Sequence, residues 1–272
     1  MKHINILLTT ALIAITTFSA CKKEDTTAPS GSSAKATLSI QFDNIVGDKN
    51  LQLGTGTYTN ASGEQFKIDF LKYYITNIKA TNNKGIEYTV PKDSSYFLVS
   101  EADGASQFVK VRVPEGEYTA ISFVLGVDSL SSVMDVAKRT GVLDPSGGMD
   151  QGMYWEWNMG YIFFKMEGSS PAAPADPSGN CKFRYHIGGF GGYSAPTINN
   201  IKTIKVDLTK AGVAKVRAGR EANVHLMVDI LKVFNGATNV SIASNPTVMF
   251  SNFSTIVAGN YANMFTHDHT EN

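Results

Sequence analysis

From Thr37 onward, the apolar and polar positions follow the pattern of β-strands. Runs rich in Val, Ile, Phe, Tyr and Thr are separated by turn clusters such as residues 82–85 (NNKG) and 114–117 (PEGE). Strands bounded by Gly, Pro and Asn clusters have this appearance. The sequence predicts strands over residues 37–46, 66–81, 96–99, 108–113, 118–128, 161–167, 201–208 and 222–234.

The spacing of these strands predicts an all-β protein. Several strands with frequent turns and no alternation with long helices favour one antiparallel β-sandwich or barrel-like domain. Only residues 131–139 and 260–265 have a helical pattern, and both stretches are short. No interdomain linker or fixed-period repeat follows residue 36, so we predict a single β-domain over residues 37–272.

The N-terminal residues have the pattern of a secretion signal. A basic start leads into an uncharged apolar run, and Cys21 follows directly after Phe18-Ser19-Ala20. This resembles the lipobox of bacterial lipoproteins, in which the thiol receives a lipid such as palmitate. Residues 1–20 are then a lipoprotein signal peptide, and residues 21–36 are the lipidated Cys and a flexible, polar tether. The alternative is an ordinary signal peptide with a chance Cys.

An anchor at Cys21 predicts an outer-membrane lipoprotein. The charged tract at residues 22–25 resembles that of surface-exported lipoproteins, so the periplasmic face and the cell surface both remain open. The precursor has 24 basic and 24 acidic residues, and loss of Lys2 leaves 23 basic residues. This balance argues against nucleic-acid binding, because phosphate contacts need a basic field. After lipidation Cys181 is the remaining thiol, with no disulfide partner.

The chain lacks three familiar enzyme motifs. We find no HExxH zinc pattern, GxSxG elbow or Walker phosphate loop. The glycine-rich residues 188–192 lack the third glycine of a dinucleotide fingerprint and are predicted to form a flexible turn. These familiar enzyme classes therefore have no support in the sequence.

Four histidines of the mature chain are candidate metal ligands. His186 and His225 lie on the polar faces of predicted strands, and Met227 shares the face of His225. Imidazole and thioether are ligands that copper accepts. The His267-Asp268-His269 spacing places both rings on one side of an extended tail, although a mobile end must become ordered on binding. The alternatives are that His225 and Met227 pack under a loop and that the tail is solvated.

Both tryptophans occur in one motif. Residues 152–161 read GMYWEWNMGY, followed by KMEG at 165–168 and FRYHIGG at 183–189. Together these motifs resemble the MbnP-like copper-binding family, whose founding members accompany methanobactin gene clusters. Further matches are FLKYYITNI (70–78), VPEGEYTAISFVLGVD (113–128), LDP (143–145) and VDILKVF (228–234).

The resemblance implies a secreted, copper-binding, β-rich protein rather than an enzyme. In that family a Trp is oxidised to kynurenine by a partner MauG-like dihaem cytochrome c peroxidase, and kynurenine helps His ligands to hold Cu(I). Trp155 or Trp157 is the implied modification site, and His186 matches the family's H-[LI]-G. Some relatives carry a second His where this chain has Thr76. The metal site would then be rebuilt from His225 or the terminal pair, or be absent.

Two other functions remain open from the sequence. The aromatic residues, with Trp155 and Trp157 as a platform, also fit a surface-exposed β-sandwich module that binds glycan or protein without metal. A calcium site is a further possibility, because Asp144 and Asp150 flank a glycine turn, although their spacing is not that of an EF-hand.

Overall fold

The computed structural model describes residues 34–145, 152–156 and 159–272. The predicted signal peptide, Cys21 and most of the tether lie outside the described residues, as do Asp150 and Trp157. The strands, numbered along the chain, are β1 (Lys35–Val46), β2 (Lys49–Asn50), β3 (Tyr58–Thr59), β4 (Gln65–Asn82), β5 (Glu87–Thr89), β6 (Tyr96–Ser100), β7 (Phe108–Pro114), β8 (Gly116–Leu125), β9 (Tyr154–Glu156), β10 (Gly160–Ser169), β11 (Lys182–Gly188), β12 (Lys202–Asp207), β13 (Ala214–Val216), β14 (Ala222–Asp229), β15 (Thr247–Val248) and β16 (Phe265–Glu271).

The strands form two sheets. The five-stranded sheet has the order β16-β14-β1-β2, with β7 also paired to β1. The eleven-stranded sheet has the order β12-β8-β4-β10-β11-β15, with β13 on β8, β9 on β10, and β3, β5 and β6 on β4. The predicted all-β sandwich is confirmed. Two pairings, β1 with β14 and β11 with β15, are parallel where the sequence predicts antiparallel neighbours.

Aromatic side chains fill the space between the sheets. The ring of Phe42 on β1 is fully buried. Its centroid lies 5.4 Å from that of Phe123 on β8, 6.1 Å from that of Phe265 on β16 and 6.3 Å from that of Tyr73 on β4. Edge-to-face contacts at these distances add to the gain from burying apolar area. The two sheets are therefore joined through their inner faces.

Strand β4 has a break in the middle. Asn77 adopts a left-handed conformation with φ of 52°, which Asn tolerates better than most residues. The ladder with β8 shifts register between Thr76 and Lys79. Residues 67–73 of β4 pair with β10, and residues 75–82, on both sides of Asn77, pair with β8. One long strand thus connects two parts of the larger sheet.

The helices are short. The helix predicted over 131–139 is replaced by two short elements. These are the helix α1 (Ser129–Ser132) and a 3-10 turn at Val136–Lys138. The second helix, α2 (Ser254–Tyr261), ends near the start of the one predicted over 260–265, because the chain enters β16 at Phe265. Further 3-10 turns are Lys92–Ser94, Gly104–Gln107, Gly141–Leu143 and Ile230–Val233. In the described part of the chain, no helix has the length and apolarity needed to cross a membrane.

A second apolar cluster covers part of the outer face of the larger sheet. It is centred on Tyr161 and Phe163 of β10. The nearly buried Arg139 lies over the Tyr154 and Tyr161 rings, 5.5 and 5.8 Å from their centroids. Its guanidinium also donates to the carbonyls of Met134 and Ser132 and to the Tyr154 hydroxyl. These contacts pack Arg139 and Leu143 against β9 and β10.

We expect Phe42→Ala to lower the free energy of unfolding by about 3–5 kcal/mol, because it leaves a cavity between the two sheets. Phe108→Ala is the control, since Phe108 is 42% exposed and its loss should change stability by less than about 0.5 kcal/mol. Urea denaturation of both variants measures the difference. Equal effects of the two substitutions would contradict the central position of Phe42.

Candidate functional site

Trp155 on β9 packs directly against β11. A Cβ atom at Gly188 would lie 2.8 Å from Cζ3 of Trp155 and would also contact the carbonyl oxygen of Tyr161. Gly188 is therefore the residue whose missing side chain makes room for the indole. The Trp155 ring also makes an edge-to-face contact with Phe250, with centroids 6.3 Å apart.

His186 lies on the same face of β11 as this indole. Residues 186 and 188 are two apart, so both project to the outer face, roughly 7 Å from each other along the strand. The side chain of His186 is largely buried, and its Nε2 lies 2.7 Å from Oε1 of Glu167 on β10. The family resemblance implies a site of His186 with Trp155 or Trp157. The structure describes Trp155 and places its indole on the face of β11 that holds His186.

The surroundings of His186 leave its Nδ1 atom free to act as a metal ligand. Burial lowers the pKa of His186, and the hydrogen bond to Glu167 only partly opposes this effect. Burial raises the pKa of Glu167, but the contacts with His186 and Lys165 outweigh it and lower the pKa overall. Because a carboxylate only accepts, Nε2 of the neutral imidazole carries the proton and Nδ1 keeps its lone pair.

Thr76 occupies the position at which some relatives carry a second His. Its side chain offers no free ligand atom to this site. It is fully buried, and its hydroxyl donates to the carbonyl oxygen of Gly126 at 2.8 Å. Of the four histidines that the structure describes, His186 is the one on this face of the larger sheet.

A second group of side chains lies on the outer face of the five-stranded sheet. Nδ1 of His225 on β14 and Nδ1 of His269 on β16 are 3.3 Å apart. The Oδ2 atom of Asp268 lies 3.3 Å from the former and 2.7 Å from the latter. We call these three residues the β14–β16 triad. In the described part of the chain, it is the one cluster of His, Cys, Asp or Glu whose ligand atoms converge closely enough to hold a metal ion.

A β-bulge produces this triad. His225 pairs with His269 and Leu226 pairs with His267, so Asp268 is an extra residue on β16. A bulge places two successive side chains opposite one residue of the partner strand, which allows Asp268 and His269 to reach His225 together. The bulge also separates the two histidines of the His-Asp-His motif, whose rings the sequence predicts on one side.

His267 lies apart from the triad. It pairs with the inward-facing Leu226, and its Nε2 is 2.9 Å from the hydroxyl of Thr270. Burial lowers the pKa of His267. The hydrogen bond to Asp268 raises the pKa of His269 and lowers that of Asp268 itself. The tail is thus an ordered strand, and its two histidines have different surroundings.

Several residues of these two sites do not stand out in the sequence. Asp268 lies between the two terminal histidines, and only the bulge makes it a neighbour of His225. Asp43 reaches Nε2 of His225 at 3.2 Å because β1 pairs in parallel with β14. Glu167 becomes a partner of His186 through the β10–β11 ladder. For the predicted calcium loop only Asp144 is described.

Comparisons with known proteins identify the fold family. The MbnP family profile matches residues 35–250, which is most of the chain. The chain belongs to the MbnP family. The resemblance drawn from the tryptophan and histidine motifs is thereby confirmed. No curated protein matches this sequence significantly.

The structure is also similar to a solved MbnP structure. MbnP from Methylosinus trichosporium superposes with a TM-score of 0.54 at 17% sequence identity, covering 80% of this chain and 82% of the other. At this identity the likeness shows a shared fold. Trp155 and His186 lie within residues 35–250, which the MbnP family profile matches, whereas Asp268 and His269 lie after residue 250.

We expect Gly188→Ala to destabilise the protein by about 1–3 kcal/mol, because the new methyl group would overlap both the carbonyl oxygen of Tyr161 and the indole of Trp155. Gly104→Ala is the matched control, since a Cβ there has no neighbour within 4 Å. It should leave stability unchanged or raise it by up to about 1 kcal/mol. Chemical denaturation with tryptophan fluorescence tests both. A Gly188→Ala variant as stable as the control would show that Trp155 does not pack there.

Proposed function

We propose that this protein is a copper-binding protein of the cell envelope and that copper binds beside Trp155 and His186. The observation that carries the proposal is the shared face of β11, on which His186 lies two residues before Gly188, the residue against which the Trp155 indole packs. Membership of the MbnP family supports a copper-related role. The role is one of binding, in keeping with a sequence that has no familiar catalytic motif.

The residues at this face fit a copper ligand set in part. Nδ1 of His186 keeps its lone pair, and Glu167 orients the ring from the opposite nitrogen. Carboxylate partners of this kind fix the tautomer and raise the basicity of a ligating imidazole. Copper(I) favours few ligands of the imidazole or soft type. Since Thr76 is engaged with Gly126, the second ligand must come from elsewhere.

We propose that the second ligand is an oxidised Trp155. With two molecules of hydrogen peroxide as the oxidant, a partner MauG-like dihaem cytochrome c peroxidase would remove four electrons from the indole over a distance. The indole C2–C3 bond would break as two oxygen atoms from water are added, and hydrolysis would release C2 as formate and leave kynurenine. Kynurenine carries a carbonyl oxygen and an aniline nitrogen in place of the pyrrole ring. Both atoms would then stand on the face of β11 that holds His186.

The location is also part of the proposal. Cys21 would carry the lipid, and the tether that follows it would link the domain to the outer membrane, on its periplasmic face or at the cell surface. The leader and the Cys position in the sequence support this. Labelling with a palmitate analogue, with Cys21→Ser as the control, tests the anchor.

We expect His186→Ala to weaken Cu(I) binding at least about tenfold, because it removes the imidazole of the site. Binding is measured under reducing conditions by competition with a chromogenic Cu(I) chelator, using protein co-expressed with the peroxidase. His267→Ala is the matched control and should bind Cu(I) as the unaltered protein does. Equal Cu(I) binding by both variants would rule out His186 as a ligand.

We expect the peptide that contains Trp155 and Trp157 to gain an oxygen atom and lose a carbon atom after co-expression with the peroxidase. Tandem mass spectrometry identifies which tryptophan changes. Trp157→Phe should retain the modification and Trp155→Phe should lose it, because the Trp155 indole packs on the strand that carries His186. Unmodified tryptophan in material from the native host would refute this step. A glycan-binding module would show neither copper binding nor modification.

A further inference from the structure

We propose that the β14–β16 triad of His225, Asp268 and His269 is a second metal site, specific for a divalent transition-metal ion such as Zn²⁺. It is separate from the Trp155–His186 face. The sequence names two of these residues as separate ligand candidates. Their union with Asp268 in one site follows from the bulge on β16.

The distances between the three ligand atoms fit one small cation. Atoms bound to a tetrahedral Zn²⁺ at about 2.0–2.1 Å stand about 3.3 Å from each other. The Nδ1 atoms of His225 and His269 are 3.3 Å apart, and Nδ1 of His225 is 3.3 Å from Oδ2 of Asp268. The third separation, 2.7 Å between His269 and Asp268, is that of a direct hydrogen bond and widens with a small rotation of the Asp268 side chain.

A carboxylate supports the triad from behind. Oδ2 of Asp43 lies 3.2 Å from Nε2 of His225, on the ring edge opposite the triad. In a neutral ring this contact holds the proton on Nε2 and leaves the Nδ1 lone pair directed at the other two residues. A carboxylate on the far nitrogen of a ligating histidine is a usual second contact of zinc sites.

The chemical types of the three ligands and their exposure to solvent indicate which metal ion the triad would bind. Two imidazoles and one carboxylate suit borderline divalent ions, and the carboxylate disfavours Cu(I). The side chain of His225 is 14% exposed, whereas those of Asp268 and His269 are 50% and 47% exposed. One side of the triad therefore opens to solvent, where water or a small external ligand completes the coordination.

The triad is independent of the proposed copper face. His225 and His269 belong to the five-stranded sheet, and His186 belongs to the eleven-stranded sheet. Asp268 and His269 also lie beyond residue 250, the last residue of the MbnP match. The second site would thus be a feature of this chain's terminal strand.

The test is a Zn²⁺ titration of the full-length, chelator-treated protein by competition with a chromogenic chelator. We expect one Zn²⁺ at the triad and at least about tenfold weaker binding in His269→Ala and Asp268→Asn. Asp43→Asn should weaken binding about 10–100-fold, although this residue does not touch the metal. His267→Ala, two residues away on the same strand, is the matched control and should bind Zn²⁺ normally.

Two further readouts separate this proposal from the copper site and from misfolding. His186→Ala should lose Cu(I) binding and keep Zn²⁺ binding, whereas His269→Ala should do the reverse. Zn²⁺ should raise the melting temperature of the unaltered protein and not that of His269→Ala, whose exposed side chain is removable without unfolding. Equal Zn²⁺ affinity of His269→Ala and His267→Ala, or no Zn²⁺ binding at millimolar concentration, would overturn the proposal.

Discussion

The packing of three aromatic rings around Phe42 is the constraint on which the other features depend. It joins β1 and β16 of one sheet to β4 and β8 of the other. Because the inward-facing residues of these strands pack in this core, the residues that alternate with them must face outward. His225 is turned outward because Val224 and Leu226 are turned inward, and the β10–β11 ladder holds Glu167 and His186 in the same way. Both candidate sites are therefore formed by outward-facing residues that alternate with core residues along the same strands.

This alternation explains how much the sequence could predict. Strand periodicity alone places His186 on a polar face opposite Tyr185, and His225 with Met227 opposite Leu226. The tryptophan motif then indicates the family, and the family implies a site that combines His186 with Trp155 or Trp157. Strand periodicity is sufficient to assign the face of each histidine, because that assignment concerns residues that are close in sequence, whereas the meeting of Trp155 with β11 depends on the fold.

What the sequence could not predict depends on pairing between distant strands. The contact of Asp43 with His225 joins residues that are 182 positions apart through a parallel ladder, and no local signal encodes that register. The one-residue bulge at Asp268 reverses the side on which His267 would otherwise lie. Similarly, the predicted strand over 222–234 ends at Asp229, because this side chain accepts from the amide of Leu231 and starts a 3-10 turn. Each of these features arises from a tertiary contact or a cap rather than from periodicity.

The bulge at Asp268 also affects how the protein meets other copies of itself. Strand β16 is the outer member of the five-stranded sheet, and an open strand edge is a template for adding a strand from another molecule. A bulge twists such an edge and interrupts the regular row of amides and carbonyls. The exposed charges of Asp268 and Glu271 add repulsion between like edges. The bulge that brings the triad together therefore also makes the β16 edge a poor template for edge-to-edge pairing with another copy.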